Sequence, residues 1–240
     1  MASILISGAN RGIGLEFTRQ YLEGGWLVYA CCRAPEKADS LNKLVEEFGD
    51  LLSVYRMDVR NGEEVAAVAQ ALNGAPIDIL INNAGIVDSY GTGVFEGKDD
   101  PDLKNYDMDL WLEILDTNVV SQGRVTGAFA DNVASSDRKM VVMISSGLAS
   151  ITNSWQAGRY AYRTSKAALN MLTRSVGAWL EPRGIAVITI APGWTRTELG
   201  GPNAHNSVED SISGMRKVLD GLTIKNTGSY WNFDGEQLPW

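Results

Sequence analysis

The chain has 240 residues, of which 45% are hydrophobic and 21% are charged, a composition typical of a globular protein with a buried core. Its net charge of −8 at pH 7 argues against nucleic acid or an anionic membrane surface as the main partner, so an anionic ligand needs a local positive pocket. No stretch of about 18 apolar residues occurs, so the sequence predicts neither a signal peptide nor a membrane span.

Short apolar runs alternate with helix-like segments along the whole chain. Predicted strands lie at 3–7, 26–32, 51–57, 77–82, 140–145, 185–190 and 230–233, and predicted helices at 12–23, 35–49, 63–73, 110–134 and 162–184. Most strands lack polar alternation, as expected when helices cover both faces of a sheet. The pattern predicts an α/β fold, a single Rossmann-type doubly wound parallel sheet of about seven strands with helices on both faces. We expect residues 1–240 to form one dinucleotide-binding and catalytic domain.

A glycine-rich turn follows the first predicted strand. Gly8, Gly12 and Gly14 stand there with the spacing G-x-x-x-G-x-G. Glycine lets the backbone approach a pyrophosphate, whose charge is met by the amides and the dipole of the helix N-terminus. Ordinary turns also contain glycines, but the position directly after the first strand favours a dinucleotide site.

The end of the second predicted strand is where a dinucleotide site usually carries an acidic residue against the ribose 2′-hydroxyl. Cys31 occupies that position, Arg33 follows it, and Arg11 lies inside the glycine turn. Two guanidinium groups without a neighbouring carboxylate favour a 2′-phosphate, while the alternative is that both arginines are solvated surface residues. Asp58, after the third strand, is either a contact for the adenine amino group or an ordinary turn residue.

The only cysteines of the chain, Cys31 and Cys32, are adjacent in a predicted strand. Their side chains point to opposite faces, so we expect neither a disulfide nor a metal site, and a reducing, cytoplasmic location is the default. Two irregular segments, 88–104 and 194–208, follow strands and therefore belong at the carboxyl edge of the sheet, where ligands bind. Together with 147–158 they form the expected substrate side.

The segment GRYAYRTSK contains two tyrosines and one lysine. Tyr162 and Lys166 are four residues apart on a predicted helix and share a face, whereas Tyr160 and Lys166 lie on different faces. A phenol with a pKa of about 10 is a poor acid or base at neutral pH unless a cation stabilises its phenolate, which Lys166 can do. The alternative is an ordinary Tyr–Lys pair on a solvated helix. Polar residues where strand ends converge, among them Ser146 and Asn118, favour the functional interpretation.

The motifs SGANRGIG, NNAG, ISS, YRTSK and PGWTRT, with Asn118 between the second and the third, resemble those of the short-chain dehydrogenase/reductase superfamily. The segments YAYRTSKAALN, PGWTRTELGG and NFDGEQLPW are similar to the C-factor/sniffer-type carbonyl reductases, which extends the resemblance to the end of the sequence.

This resemblance implies roles for four catalytic residues. Tyr162 is implied to be the general acid that protonates the carbonyl oxygen, and Ser146 to hydrogen-bond that oxygen. Lys166 is implied to hold the nicotinamide ribose hydroxyls and to lower the pKa of Tyr162, and Asn118 to anchor a water that links Lys166 to bulk solvent. Ser146 and Tyr162 are 16 residues apart, more than is usual in the family, which leaves open whether Ser145 or Ser146 points inward.

The resemblance and the two arginines imply NADP(H) as the cofactor and no metal. The motif NNAG is implied to shape the adenosine-ribose side of the cofactor site, and the motif PGWTRT is implied to shape its carboxamide side. The predicted cofactor-binding residues are Gly8, Asn10, Arg11, Gly12, Ile13, Gly14, Arg33, Asp58, Val59, Asn83, Ala84, Gly85, Asn118, Tyr162, Lys166, Pro192, Gly193, Thr195 and Thr197.

The predicted function is that of an NADP(H)-dependent oxidoreductase, which transfers a hydride between nicotinamide and a carbonyl or alcohol substrate, with reduction of a ketone or aldehyde. The alternative is a non-catalytic NADP-binding sensor or signalling protein on the same fold, which the presence of Ser146, Tyr162 and Lys166 disfavours. A nucleotide-sugar epimerase or dehydratase is disfavoured because only 43 residues follow PGWTRT, too few for a separate sugar-binding domain.

The expected partners are a small-molecule carbonyl or alcohol substrate and further copies of the same chain, with no nucleic acid and no membrane. Apolar residues such as Val119, Val125, Leu169 and Leu172 lie on more than one face of two predicted helices, which predicts a homodimer or homotetramer.

Overall fold

Seven parallel strands form one sheet in the computed structural model, which describes residues 1–88 and 102–240. The strands are β1 (Ser3–Ser7), β2 (Leu27–Cys32), β3 (Leu52–Arg56), β4 (Ile79–Asn82), β5 (Met140–Ile144), β6 (Ala186–Ala191) and β7 (Tyr230–Asn232). Their order across the sheet is β3-β2-β1-β4-β5-β6-β7, which confirms the predicted doubly wound fold. Most of the irregular segment predicted at 88–104 lies outside the described residues.

Helices cover both faces of this sheet. They are α1 (Gly12–Glu23), α2 (Asp39–Phe48), α3 (Gly62–Leu72), α4 (Met108–Leu115), α5 (Ser121–Ala134), α6 (Tyr160–Leu180) and α7 (Val208–Gly221). A π-helical turn, Asp116–Val120, joins α4 to α5, so the single helix predicted at 110–134 is interrupted around Asn118. Within the described ranges, no helix is long and apolar enough to cross a membrane.

Two buried apolar clusters lie between the sheet and the helices. One packs α1, α2 and α7 on the sheet, and the other packs α3, α5 and α6. Alternate residues of a strand enter opposite clusters, so Ile4 faces the first and Leu5 the second. Val125 and Leu169, two of the residues from which the sequence analysis predicted an oligomer, are fully buried in the second cluster. These two side chains pack on the sheet and therefore give no support to that prediction, which stays a prediction.

The sequence analysis missed α7, although its signals are present. The Ser207 hydroxyl caps the helix by accepting a hydrogen bond from the main-chain N–H of Asp210 at 3.0 Å. Ile212, Met215 and Leu219 recur at helical spacing and are fully buried. A cap followed by such an apolar stripe is sufficient to predict a helix here.

The residues that follow β7 fold back along it, and we call residues 233–240 the C-terminal strap. The main-chain N–H of Asn232 donates to the carbonyl of Glu236, and that of Leu238 to the carbonyl of Tyr230, both at 2.8 Å. The return path places the ring of Trp240 on the ring of Tyr230, with centroids 5.3 Å apart.

Candidate active site

A cavity of about 870 Å³ opens at the carboxyl edge of the sheet. Its wall contains the glycine turn, the ends of β2 to β6 and the first turns of α6. Every predicted cofactor-binding residue except Asn118 lines this cavity, and so does Ser146. The sheet therefore brings together residues that are widely separated in the sequence, as open α/β folds do at this edge.

The glycine turn is packed too closely for side chains. A Cβ on Gly14 would lie 2.1 Å from the carbonyl oxygen of Gly8, which itself has a positive φ of 69°. The side-chain amide of Asn83 donates to the carbonyls of Ser7 and Gly8 at 2.9 and 3.0 Å. The hydroxyl of Ser7 in turn accepts from the main-chain N–H groups of Asn83 and Ala84. Asn83 thus fastens the end of β4 to the glycine turn, a contact that the sequence analysis did not anticipate.

At the end of β2, the cysteine that reaches the cavity is one residue later than the sequence analysis predicted. Cys32, Arg33 and Ala34 line the cavity, whereas Cys31 is fully buried in the second apolar cluster. Side chains alternate along a strand, so the last side chain of β2 to reach the cavity is that of Cys32 and not that of Cys31. The cavity still has no carboxylate at this position, and the exposed Arg33 follows it. Arg11, in the glycine turn, forms an ion pair with Glu198 from the segment after β6.

Tyr162 presents its phenol to the cavity from the first turn of α6 and is 6% exposed. Burial raises the pKa of Tyr162 to about 12, while a hydrogen bond with Ser146 and the charge of Arg159 lower it and Asp88 raises it. The sequence analysis expected Lys166 to lower this pKa. In the structure Ser146 and Arg159 oppose the effect of burial instead.

Lys166 lies one turn further along α6. Its Nζ is 5.8 Å from the centroid of the Tyr162 ring and donates to the main-chain carbonyl of Ile144 at 2.8 Å. Burial lowers the pKa of Lys166 to about 8, because the charged amine is removed from water. The bond to Ile144 turns the amine toward the end of β5.

The two serines after β5 point in different directions. The hydroxyl of Ser145 is buried and donates to Oδ1 of Asn170 at 2.8 Å. Both serines line the cavity, but the Oγ of Ser146 accepts from the main-chain N–H of Leu148 at 3.2 Å and its hydroxyl hydrogen-bonds with Tyr162. Ser146 is therefore the serine that faces Tyr162, which resolves the question that the long spacing raised.

Tyr160 lies outside the cavity wall. Its ring packs against Tyr106 and Trp111, with centroids 5.8 and 6.5 Å away, in a small aromatic cluster. The helical spacing that favoured Tyr162 over Tyr160 therefore agrees with the orientation of both side chains.

Asn118 is fully buried in the π-helical turn behind the cavity. Its Nδ2 donates to the carbonyl of Ile86 at 2.9 Å and to the hydroxyl of Ser165 at 3.0 Å, and its Oδ1 accepts from the N–H of Ile86. The side chain therefore holds the segment after β4 against α6. Its predicted role as the anchor of a water stays a prediction.

Sequence reasoning missed three charged residues at the site. Arg159 lines the cavity just before Tyr162, is 6% exposed and has a left-handed backbone with φ of 51°. Asp88 is buried and accepts a hydrogen bond from the hydroxyl of Tyr106. Glu198 pairs with Arg11. The proximity of Arg159 to the tyrosine was the one available sequence signal.

The segment 194–208 is folded by its own hydrogen bonds. The Thr195 hydroxyl donates to the carbonyl of Pro192 at 2.8 Å, and the Thr197 hydroxyl accepts from the N–H of Gly200 at 3.0 Å. The indole of Trp194 donates to the carbonyl of Gly200 at 2.8 Å. These contacts fix the part of the cavity wall that lies against the glycine turn, where Arg11 pairs with Glu198.

Comparisons with known proteins agree with this geometry. A family model described as short chain dehydrogenase matches residues 2–207. The C-signal protein of Myxococcus xanthus is 36% identical over 165 residues, which cover 69% of this chain and 93% of that protein. The NADPH bound carbonyl reductase from chicken fatty liver is 31% identical, with 100% of this chain and 99% of that chain covered and a TM-score of 0.89. The carbonyl reductase Sniffer of D. melanogaster is 28% identical, with 100% of both chains covered and a TM-score of 0.89.

Proposed function

This chain belongs to the short-chain dehydrogenase family, and we propose that it reduces ketones or aldehydes with NADPH as the hydride donor. The observation that carries the proposal is the meeting of a buried phenol, Tyr162, with Ser146 and Lys166 in the cavity that also contains the glycine turn. Asn118, the fourth residue of the proposed set, supports this arrangement from behind the cavity.

NADP(H) fits the adenosine end of the cavity. The close approach of Gly14 to Gly8 leaves room for a pyrophosphate against the backbone but none for a side chain. Cys32 offers no carboxylate to repel a 2′-phosphate, and Arg33 supplies paired donors beside it. The chicken carbonyl reductase, a similar structure, is described as NADPH bound. Arg11 would join Arg33 once its contact with Glu198 is exchanged for the phosphate.

NADPH supplies the hydride, and the residues of this chain orient the substrate and deliver the proton. Because burial keeps the pKa of Tyr162 at about 12, its phenol is protonated at neutral pH and donates from Oη to the substrate oxygen. The hydroxyl of Ser146 donates to the same oxygen. Arg159 then stabilises the phenolate that remains on Tyr162, and the Nζ of Lys166 holds the ribose hydroxyls.

A turnover assay tests the proposal directly. Purified protein is incubated with NADPH and a panel of aldehydes and ketones, and the loss of NADPH absorbance is followed. We expect turnover with at least one carbonyl class and none after Tyr162→Phe. Tight NADPH binding without turnover on any compound would favour the non-catalytic sensor instead.

Substrate choice is proposed to lie in the segments 147–158 and 194–208, with 88–104 as a third contributor. Gln156, Ala157 and Trp194 line the cavity from the first two segments. Exchange of these segments for those of a related reductase should change which carbonyl compounds are accepted and leave NADPH affinity unchanged. We also propose that residues 1–240 act as one catalytic domain, because both halves of the cavity are built on the same sheet.

A homodimer or homotetramer is proposed from exposed apolar residues on α4 to α6. Leu112, Val120, Met171 and Trp179 have 55% to 66% of their surface exposed, whereas the residues named from the sequence are core or close to it. Light scattering on the purified chain should give a particle larger than the 26.0 kDa protomer. A cytoplasmic location stays a prediction, and the two free, buried cysteines agree with a reducing compartment.

A further inference from the structure

A hydrogen bond from the edge strand β7 holds the main-chain carbonyl of Ser146. The hydroxyl of Tyr230, in β7, donates to this carbonyl, which also accepts from the N–H of Ala149 at 2.9 Å. Tyr230 is 1% exposed, and 84 residues of sequence separate it from Ser146. Two donors on one partly buried carbonyl fix the direction of the peptide group between Ser146 and Gly147.

The C-terminal strap holds Tyr230 in turn. The indole of Trp240 stacks on the phenol ring at an interplanar angle of 21°, and the guanidinium of Arg174 lies 6.0 Å from the indole centroid. The carbonyl of Trp240 accepts from the N–H groups of Ile151 and Thr152. One element thus supports both the Ser146 carbonyl and the loop that follows it.

Tyr230 does not line the cavity, so its phenol acts on bound substrate only through another residue. The phenol reaches the main chain of Ser146, whose Oγ faces Tyr162, and also the side chain of Asn170, which does not line the cavity. The peptide group that carries this carbonyl leads into the turn Gly147–Ala149, whose Leu148 N–H donates to the Ser146 Oγ, so a shift of the carbonyl would move a hydrogen-bond donor of the hydroxyl. The position of the hydroxyl therefore depends on a bond made from β7.

We propose that Tyr230 is a positioning residue of the active site, which fixes the Ser146 carbonyl and so directs the Ser146 hydroxyl, and that the C-terminal strap keeps Tyr230 in place. The inference rests on the proposed function, in which Ser146 binds the substrate oxygen. A displacement of about 1 Å in a reacting group can lower the rate by up to about 10²-fold. Loss of the Tyr230 hydroxyl, which contacts Ser146 and not the substrate, should therefore have a measurable effect on the rate.

A double-mutant cycle tests this inference. Tyr230→Phe removes only the hydroxyl and keeps the ring for Trp240, and we expect kcat to fall about tenfold with an unchanged KM for NADPH. Ser146→Ala should lower kcat by about 10²-fold. In the double variant the effects should not multiply, and kcat should equal that of Ser146→Ala alone, because Tyr230 acts through Ser146. Tyr29→Phe, another buried strand tyrosine, is the matched control and should leave kcat unchanged.

The outcomes separate the inference from the proposed function. Multiplying effects in the double variant, or an unchanged kcat in Tyr230→Phe, would overturn the positioning role while leaving carbonyl reduction intact. An unchanged kcat in Ser146→Ala would overturn the role of the serine and the inference with it. Trp240→Ala alone should lower kcat, whereas Trp240→Ala added to Ser146→Ala should not lower it further. This result would support the proposal that the C-terminal strap keeps Tyr230 in place.

Discussion

The adenosine end and the chemical end of the cavity differ in how far water reaches their charged groups. At the adenosine end, Arg11 and Glu198 have 60% and 75% of their side chains exposed. At the chemical end, Tyr162 and Lys166 are 6% and 5% exposed. Both ends use cations, but one set is solvated and the other is buried.

This difference determines the size of the effects that each end can produce. Interactions between exposed charges are screened by water and salt and contribute about 0.2 to 1 kcal/mol. Burial is the largest cause of the shifts that bring the pKa of Tyr162 to about 12 and that of Lys166 to about 8. The chemical end should therefore control the rate, and the adenosine end should adjust the choice of cofactor by smaller factors.

The largest effect is expected for Tyr162→Phe. Loss of the proton donor should lower kcat by about 10³-fold, within the range that general acids contribute, while NADPH binding persists. Tyr160→Phe is the matched control and should retain at least about a tenth of the activity, because its ring packs away from the cavity. Steady-state kinetics and an NADPH titration on both variants test this. The reverse ranking would show that the wrong tyrosine has been assigned.

Lys166→Ala should lower kcat/KM by about 10²-fold and, unlike Tyr162→Phe, also weaken NADPH binding. Burial lowers the pKa of Lys166 to about 8, so its charge is present below that pH and lost above it. NADPH affinity of the wild type should therefore weaken as the pH rises through 8, and that dependence should be absent in Lys166→Ala. A pH-independent affinity in wild type would contradict the buried cation.

Cofactor choice should reverse in Cys32→Asp combined with Arg33→Ala, because the first change adds repulsion to the 2′-phosphate and the second removes its partner. A charge-assisted hydrogen bond contributes about 1.5 to 3 kcal/mol when well formed, but Arg33 is exposed, so we expect the lower end, about tenfold in kcat/KM. NADPH should be preferred in wild type and NADH in the double variant. Arg56→Ala, an exposed arginine outside the cavity wall, should leave the ratio unchanged. An unmoved ratio in the double variant would make Arg33 a surface residue.

Arg159→Gln should slow alcohol oxidation several-fold. The charge of Arg159 lowers the pKa of Tyr162, so its removal raises that pKa and leaves less phenolate to accept the proton at any pH below it. The rising limb of the oxidation rate against pH should therefore move to higher pH, while Arg159→Lys keeps the wild-type position. Arg163→Gln, on the same turn, is the control. A move to lower pH would contradict the assigned sign.

The smallest effect is expected for Glu198→Gln. Removal of the partner of Arg11 frees the guanidinium for the phosphate, so the Kd for NADPH should fall about twofold at low salt. The gain should vanish at high salt, because exposed charges are screened. Weaker binding in this variant would show that Glu198 supports the cavity wall.

Most of the fold and the local part of the site could be predicted from the sequence. The apolar runs give all seven strands because both faces of the sheet are covered, and the four-residue spacing of Tyr162 and Lys166 depends only on helix geometry. The position of the glycine turn after β1 is likewise local. Features that depend on one helix, strand or turn can therefore be predicted from the sequence.

Contacts between distant elements could not be predicted in this way. The bond from Asn83 to the glycine turn and the ion pair of Arg11 with Glu198 join residues 75 and 187 apart, and no local pattern records them. The error between Cys31 and Cys32 has another cause. A one-residue change in the assumed end of a strand exchanges its two faces. The π-helical turn around Asn118 is also invisible to a periodicity of 3.6 residues.

The short length of β7 has a consequence for the thermal behaviour of the protein. A three-residue strand at the edge of a sheet opens with a lower free energy than the central strands, and its amide hydrogens should exchange earlier. Because Tyr230 lies on β7, such local unfolding would release the Ser146 carbonyl while β1 and β4, which carry the dinucleotide half of the cavity, stay folded. We expect a state of reversibly lowered activity on warming that still retains NADPH, at temperatures below the cooperative melting of the sheet.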